Sequence, residues 1–345
     1  MSIQMIPSGA LTASVTPFNQ DGSVDMDGMR RLVQFQKEQG ISGIVPAGTT
    51  GESPTLTPEE HCGIIGWVMS GIFVLAGCGS NSTAEAMYYV GEAVRRGCKA
   101  VLLVDPYYNR PPSCLLVKEY YAPIAAAFPD IAIMPYIIPG RTNTECLAED
   151  LATLSEKFPN ICGIKDATGK LEHMRKVRSL ARPDFQIFCG DDGMTFDSMS
   201  QSLILAHGVI SVVSNIAPAA VQKMCQLLLA EQYEEANALK YKLQPLFDIV
   251  TVSVNRVEGG RDRDIVDRFS NPMPIKTAMN MLGMPSGPCR QPLGKMSEEA
   301  VNIVRRSLAI VYEESPAILR PVEEFFSVDI GQRLADERLC MSFAQ

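Results

Sequence analysis

What constrains this chain most is an alternation repeated eight times: a short apolar run rich in β-branched residues, followed by a longer segment of helical period. The runs are "LTASVTPF" (11–18), "GIVPA" (43–47), "IFVLAG" (72–77), "AVLLV" (100–104), "IAIMPY" (131–136), "ICGIK" (161–165), "FQIFCG" (185–190) and "GVISVV" (208–213). Runs this short and this apolar suit strands buried on both faces, as in a parallel sheet. Between them, segments such as 25–39, 82–96, 144–157 and 193–206 are amphipathic at helical spacing. Several helical segments open on a cap-like residue: Asp25, Thr57 with Glu60 three later, Ser82 with Glu85 three later.

Parallel strands need a crossover between them, and eight strand–helix units in about 215 residues predict a (β/α)8 TIM barrel, typically built from ~250. A doubly wound sheet is the competing arrangement. Its dinucleotide fingerprint is missing, since "GCGSNS" (77–82) lacks the third glycine of G-x-G-x-x-G. The pattern divides the chain into a catalytic barrel over 1–216 and a C-terminal helical region over 217–345. Helical period is strongest at 217–245 and 297–313. Inside that region, "NRVEGGRDRDIVDR" (255–268) reads as a solvated charged loop.

Composition narrows the function. With 345 residues, 46% of them hydrophobic and 20% charged, the chain is that of a soluble globular protein. A net charge of −8 disfavours nucleic acid or an anionic membrane as partner. No run reaches the ~18 apolar residues of a membrane span, and no basic segment precedes an apolar one at the start, so a cytoplasmic location is expected. The ten cysteines include no C-x-x-C pair, and the three histidines, His61, His173 and His207, lie far apart. Neither a disulfide framework nor a metal site is suggested, and no cofactor is expected.

In a (β/α)8 barrel the chemistry gathers at the C-terminal ends of the strands and in the loops that follow. Lys165 ends the sixth run at that mouth. A lysine there could simply reach water, since long cationic side chains snorkel. Alternatively, apolar surroundings favour the neutral amine, which attacks carbonyls. An imine with a 2-oxo acid is an electron sink, and losing a proton from the adjacent methyl gives an enamine. Such chemistry needs a carboxylate clamp, which the hydroxyls and backbone amides of "AGTTGES" (47–53) could supply. It needs a proton shuttle, a role open to Tyr136, and a cation such as Arg141 for a second substrate. Each of these also has an ordinary structural use. "GDDG" (190–193) reads as a loop and helix cap, with no metal assigned.

Six motifs in order, "GTTGES", "PYYNRP", "PGRT", "GIKDATG", "GDD" and "GVIS", are similar to those of the pyruvate-dependent class I aldolases, the family that includes N-acetylneuraminate lyase. The resemblance runs from about Gly9 to Leu293. It implies that Lys165 forms an imine with pyruvate and that Thr49 and Thr50 hold the pyruvate carboxylate. Tyr136 resembles the acid–base tyrosine, linked through Thr50 to Tyr108, and in relatives the residue matching Tyr108 comes from a neighbouring subunit. A homo-oligomer, dimer or tetramer, is therefore implied. Arg141 resembles the residue that receives the second substrate, L-aspartate 4-semialdehyde, and Ile210 lies where a backbone carbonyl lines the pocket. The product would be 4-hydroxy-tetrahydrodipicolinate, on the route to lysine. The rival activities are cleavage of a sugar acid, such as N-acetylneuraminate or 2-oxo-3-deoxygluconate, and a non-catalytic barrel with a binding role. In lysine-sensitive relatives L-lysine binds at a subunit interface, and the matching positions are Ser53, His61, Asn81, Glu85 and Tyr107. Three departures stand out: Ile137 and Ile138 follow Tyr136 where relatives commonly carry Asn, the helix between strands two and three is about one turn shorter than usual, and the insertion near 255–268 and the tail after about 315 have no counterpart in compact members.

Overall fold

The computed structural model describes residues 3–69, 71–258 and 261–345. Eight parallel strands form the sheet: β1 (Gly9–Ala13), β2 (Gly43–Val45), β3 (Leu75–Gly77), β4 (Ala100–Val104), β5 (Ala132–Ile137), β6 (Gly163–Asp166), β7 (Gln186–Cys189) and β8 (Gly208–Ser211). Their order is β2-β1-β8-β7-β6-β5-β4-β3. The ring closes between β2 and β3, where Ile44 N donates to Phe73 O at 2.9 Å and Gly77 N to Pro46 O at 3.0 Å. The fold is a (β/α)8 barrel.

Most strands are shorter than their apolar runs, because loops claim the backbone at one end. After Ala13, the Val15 amide turns to Asn215 Oδ1 at 3.1 Å and the Phe18 amide to Ser286 O at 3.0 Å. After Ser211, Val212 and Val213 donate to the Asp192 carboxylate at 2.8 and 3.3 Å. Inside the barrel, Leu11, Val45, Leu75, Leu102, Met134 and Phe188 fill the centre. Strands β1 and β8 approach so closely that a Cβ at Gly208 would stand 1.8 Å from Gly9 O. Only glycine fits there.

The predicted caps form. Asp25 accepts from Gly28 N at 2.8 Å, Thr57 and Glu60 make a reciprocal capping box, and Ser82 accepts from Glu85 N at 3.4 Å. The helices they open are Met26–Glu38, Pro58–Trp67 and Thr83–Arg95. Pro218–Leu229 completes the helical ring, its Gln222 side chain accepting from Ala10 N of β1 at 2.8 Å.

The C-terminal region is not all helical. Within the stretch expected as a solvated loop, residues 255–258 and 261–268 lie in an antiparallel pair of strands, β9 (Thr251–Glu258) and β10 (Arg261–Ser270), and the rest of the stretch lies outside the described residues. The reason is period two: Val252 and Val254 are buried while Ser253 and Asn255 face out. The charges that suggested a loop pair across the strands instead, Arg256 gripping Asp267 at 2.9 and 2.5 Å. Helices Met273–Met281 and Glu298–Glu314 follow. Arg320–Phe326 then docks on the barrel, with the Phe325 and Phe326 rings 5.3 and 5.2 Å from Phe35.

Candidate active site

Tyr136 of β5 and Lys165 of β6 are register partners on adjacent strands. Both are buried at 6% exposure, and the Lys165 Nζ stands 4.1 Å from the centre of the Tyr136 ring. The lysine that ends its run therefore does not reach water. It is held against an aromatic face at the C-terminal mouth of the barrel.

A cavity of about 300 Å³ opens at that mouth, lined in part by Thr49, Tyr107, Tyr136, Arg141 and Asn271. Thr50 is buried, and its hydroxyl accepts from Asn271 Nδ2 at 2.9 Å. A hydroxyl that accepts in this way keeps its own proton to donate. Arg141, on the short helix Pro139–Thr142, donates from Nη2 to the Asn271 carbonyl at 2.8 Å. Asn271 thus joins the threonine loop to the arginine, and its Oδ1 is buried with no hydrogen-bond partner among the described residues. Sequence reading missed Asn271, although the Asn-Pro step in "SNPMPIK" is a turn signal.

The threonine loop is anchored by a buried ion pair that was also missed. Glu52 has left-handed backbone (φ 58°), and its Oε1 receives Lys276 Nζ at 2.7 Å. Its Oε2 receives Arg290 N at 2.9 Å. The Lys276 ammonium also donates to Thr16 O and Pro288 O at 3.1 and 2.9 Å, and lies 4.3 Å from the Phe18 ring centre. Every face of that buried cation is occupied.

Ile210 of β8 sits in the barrel interior and pairs with Leu11 in register. Tyr108 is 86% exposed, with φ at 77°, and among the described residues no hydrogen bond joins it to Thr50 or Tyr136. The two aspartates of "GDDG" serve the backbone. Asp191 accepts from Gly193 N at 3.0 Å, and buried Asp192 accepts from the Ser211 hydroxyl and two amides. Burial pushes the Asp192 carboxyl up to about 6.

Of the five positions matching a lysine site, four form two linked pairs, and Glu85 is held by Ser80. His61 is buried, with Nε2 2.7 Å from Gly77 O and Nδ1 3.5 Å from Ser53 Oγ. Its ring stacks on Tyr89 at 4.1 Å, and burial lowers its pKa. Asn81 Oδ1 accepts from Tyr107 N at 2.9 Å. Glu85 accepts from the Ser80 hydroxyl, and burial, then the Glu85 charge, raise the pKa of Tyr107. Ser53 and Tyr107 also line the cavity, so the two sets of residues adjoin.

A buried lysine beside a buried tyrosine at the mouth of a (β/α)8 barrel, with hydroxyls and a guanidinium alongside, marks a pyruvate-dependent class I aldolase or synthase. The chain belongs to the dihydrodipicolinate synthetase family, whose model matches residues 6–311. It is 41% identical over 304 residues to 4-hydroxy-tetrahydrodipicolinate synthase of Alcanivorax borkumensis, covering 87% of this chain and 96% of the relative. The synthase of the same name from Methanothrix thermoacetophila is 40% identical over 294 residues, 84% and 92% of the two chains. Among solved structures, the 4-hydroxy-tetrahydrodipicolinate synthase of Methylacidiphilum fumariolicum superposes with a TM-score of 0.80 at 35% identity, covering 92% of this chain and 99% of that one. The dihydrodipicolinate synthase of Cyanidioschyzon merolae, solved with lysine bound, gives 0.80 at 34% identity, covering 89% and 99%.

Proposed function

We propose that this enzyme condenses pyruvate with L-aspartate 4-semialdehyde to 4-hydroxy-tetrahydrodipicolinate, in lysine biosynthesis by way of diaminopimelate, with Lys165 as nucleophile. The observation that carries the assignment is the buried Lys165–Tyr136 pair, whose tyrosine lines the cavity. The neutral amine adds to the pyruvate carbonyl carbon, and water leaves to give the imine. Thr49 and Thr50 hold the carboxylate, and Tyr136 carries protons on and off the departing oxygen. Loss of a methyl proton then gives the enamine, whose carbon attacks the aldehyde. The new alkoxide takes a proton through Tyr136. The amino group of the second substrate adds to the imine carbon, closing the ring, and expulsion of the Lys165 amine leaves the cyclic imine and frees the enzyme.

Arg141 receives the carboxylate of the aldehyde substrate. The backbone of Ile210 lines the inner end of the pocket. Tyr108 completes the relay from a neighbouring subunit of a homo-oligomer, a reading supported by its exposure and its left-handed backbone. We place the enzyme in the cytoplasm as a homotetramer. Ser53, His61, Asn81, Glu85 and Tyr107 form an L-lysine effector site, supported by the adjacency of that cluster to the cavity.

The test is borohydride reduction with pyruvate, which makes the imine permanent. A pyruvate-derived mass is expected on Lys165, and Lys165→Ala should lose it, along with several orders of magnitude of turnover. Label on a different lysine would falsify the assignment. Titrating the same enzyme with L-lysine reads the effector site: flat kinetics at millimolar lysine would remove that part alone.

A further inference from the structure

The strand ends that carry the reacting pair have a second face. Register sets Val104 beside Tyr136, Tyr136 beside Lys165, and Ile137 beside Asp166. The residues one step on, Asp105, Ile137 and Asp166, therefore point outward toward the helices. All three are wholly buried. Ile137 offers no polar group, so the carboxylates on either side must be satisfied from elsewhere.

Three groups hydrogen-bond to the Asp166 carboxylate, one backbone amide and two side chains. Thr168 N and Oγ1 reach Oδ1 at 3.0 and 2.7 Å, and His173 Nδ1 reaches Oδ2 at 2.6 Å. Of these only the imidazole can carry charge. His173 stands on the helix Leu171–Leu180 with 8% of its side chain exposed. Among the described residues its Nε2 has no hydrogen-bond partner, and it lies 3.7 Å from Glu145 Oε1. Burial disfavours the imidazolium, yet the Asp166 hydrogen bond and the charges of Asp166 and Glu145 outweigh burial and the opposing Lys170, raising the His173 pKa. Asp105 on the β4 side, pushed up to about 7 by burial, and the exposed Glu149–Lys176 pair complete the ionisable surroundings.

We propose that His173 is a positioning residue for Lys165, acting through Asp166. The imidazole fixes the carboxylate that ends β6, and so fixes the strand end from which the neighbouring amine reaches the pyruvate carbonyl. The inference rests on Lys165 being the nucleophile. Its warrant is covalent: Lys165 and Asp166 share a peptide at the end of β6, so a shift of the backbone at Asp166 carries Lys165 with it. Misplacing a reacting atom by about 1 Å can cost ~10²-fold in rate.

The experiment follows imine formation directly, by quenching enzyme and pyruvate with borohydride at short times. His173→Leu should slow labelling of Lys165 by about tenfold or more, within the range expected for misplacement. The KM for the aldehyde should stay unchanged. His173→Asn places an amide donor near the position of Nδ1 and should recover most of the rate. If His173→Leu does not fold, His173→Gln takes its place, because its amide reaches toward Nε2 and leaves Asp166 without its donor. Melting temperatures are measured alongside. Lower melting with unchanged labelling would overturn the proposal, as would an asparagine variant as slow as leucine. Wild-type enzyme that takes no label on Lys165 would remove the nucleophile assignment and this inference with it, whereas normal wild-type labelling with unimpaired variants removes only the inference.

Discussion

Tyr136 meets the Lys165 amine with its ring, 4.1 Å from centroid to Nζ, so its hydroxyl is separable from its packing. Tyr136→Phe keeps the ring in the same buried wall and deletes only the proton carrier. Turnover should fall by roughly 10²–10⁴ with the melting temperature nearly unchanged, the range usual for losing a general acid–base. Steady-state kinetics beside a thermal melt decides this, and near-normal turnover would leave Tyr136 a packing residue. Residues such as Lys165 were legible in sequence because a cation at the end of a buried strand is locally anomalous, and Arg141 because it follows a Pro-Gly turn. Asn271 was not legible. Its partner Thr50 is 221 residues away, and nothing near Asn271 in the chain announces that hydrogen bond.

At the scale of elements, the loop after β2 is held by a residue on a distant helix. The Glu52 and Lys276 side chains are 0% and 1% exposed, and the pair ties "GTTGES" to Met273–Met281. Taking one member from a buried pair leaves the other charge without compensation, which typically costs about 3–5 kcal/mol. Lys276→Met should therefore lower the free energy of unfolding in urea by about that amount. Glu52→Gln, which keeps a hydrogen-bonding shape for Lys276 and for Arg290 N, should cost less. Both variants should also raise the KM for pyruvate, since Thr49 and Thr50 ride on the same loop. A Lys276→Met enzyme as stable as wild type would show that the pair does not anchor the loop. The barrel elements were legible from their period, and the caps from single residues. The β9–β10 hairpin was not, because its charges outweighed the alternation of Val252 and Val254 that buries one face.

For the whole molecule, one chain does not bring the proposed relay together. Tyr108 stands at 86% exposure in left-handed backbone, a conformation that costs a bulky residue energy and persists where surroundings enforce it. Among the described residues of one chain, no side-chain hydrogen bond of Tyr108 accompanies that geometry. A partner that inserts Tyr108 beside Thr50 and Tyr136 would reward it. The family match ends at residue 311, and the helix Arg320–Phe326 beyond it packs back on Phe35 of its own chain. That tail therefore acts first within the chain. The decisive measurement is complementation. Tyr108→Phe and Lys165→Ala enzymes, each nearly inactive, are dissociated, mixed and reassociated. In a two-fold pair, the lysine-competent subunit then receives an intact Tyr108 from its partner, and random pairing should restore about a quarter of the wild-type sites. Recovery that peaks near that fraction in an equimolar mixture and falls on either side places Tyr108 across the interface. If the mixture stays as inactive as its components while the assembly forms normally, each Tyr108 serves its own chain, and the exposed loop must fold inward to do so.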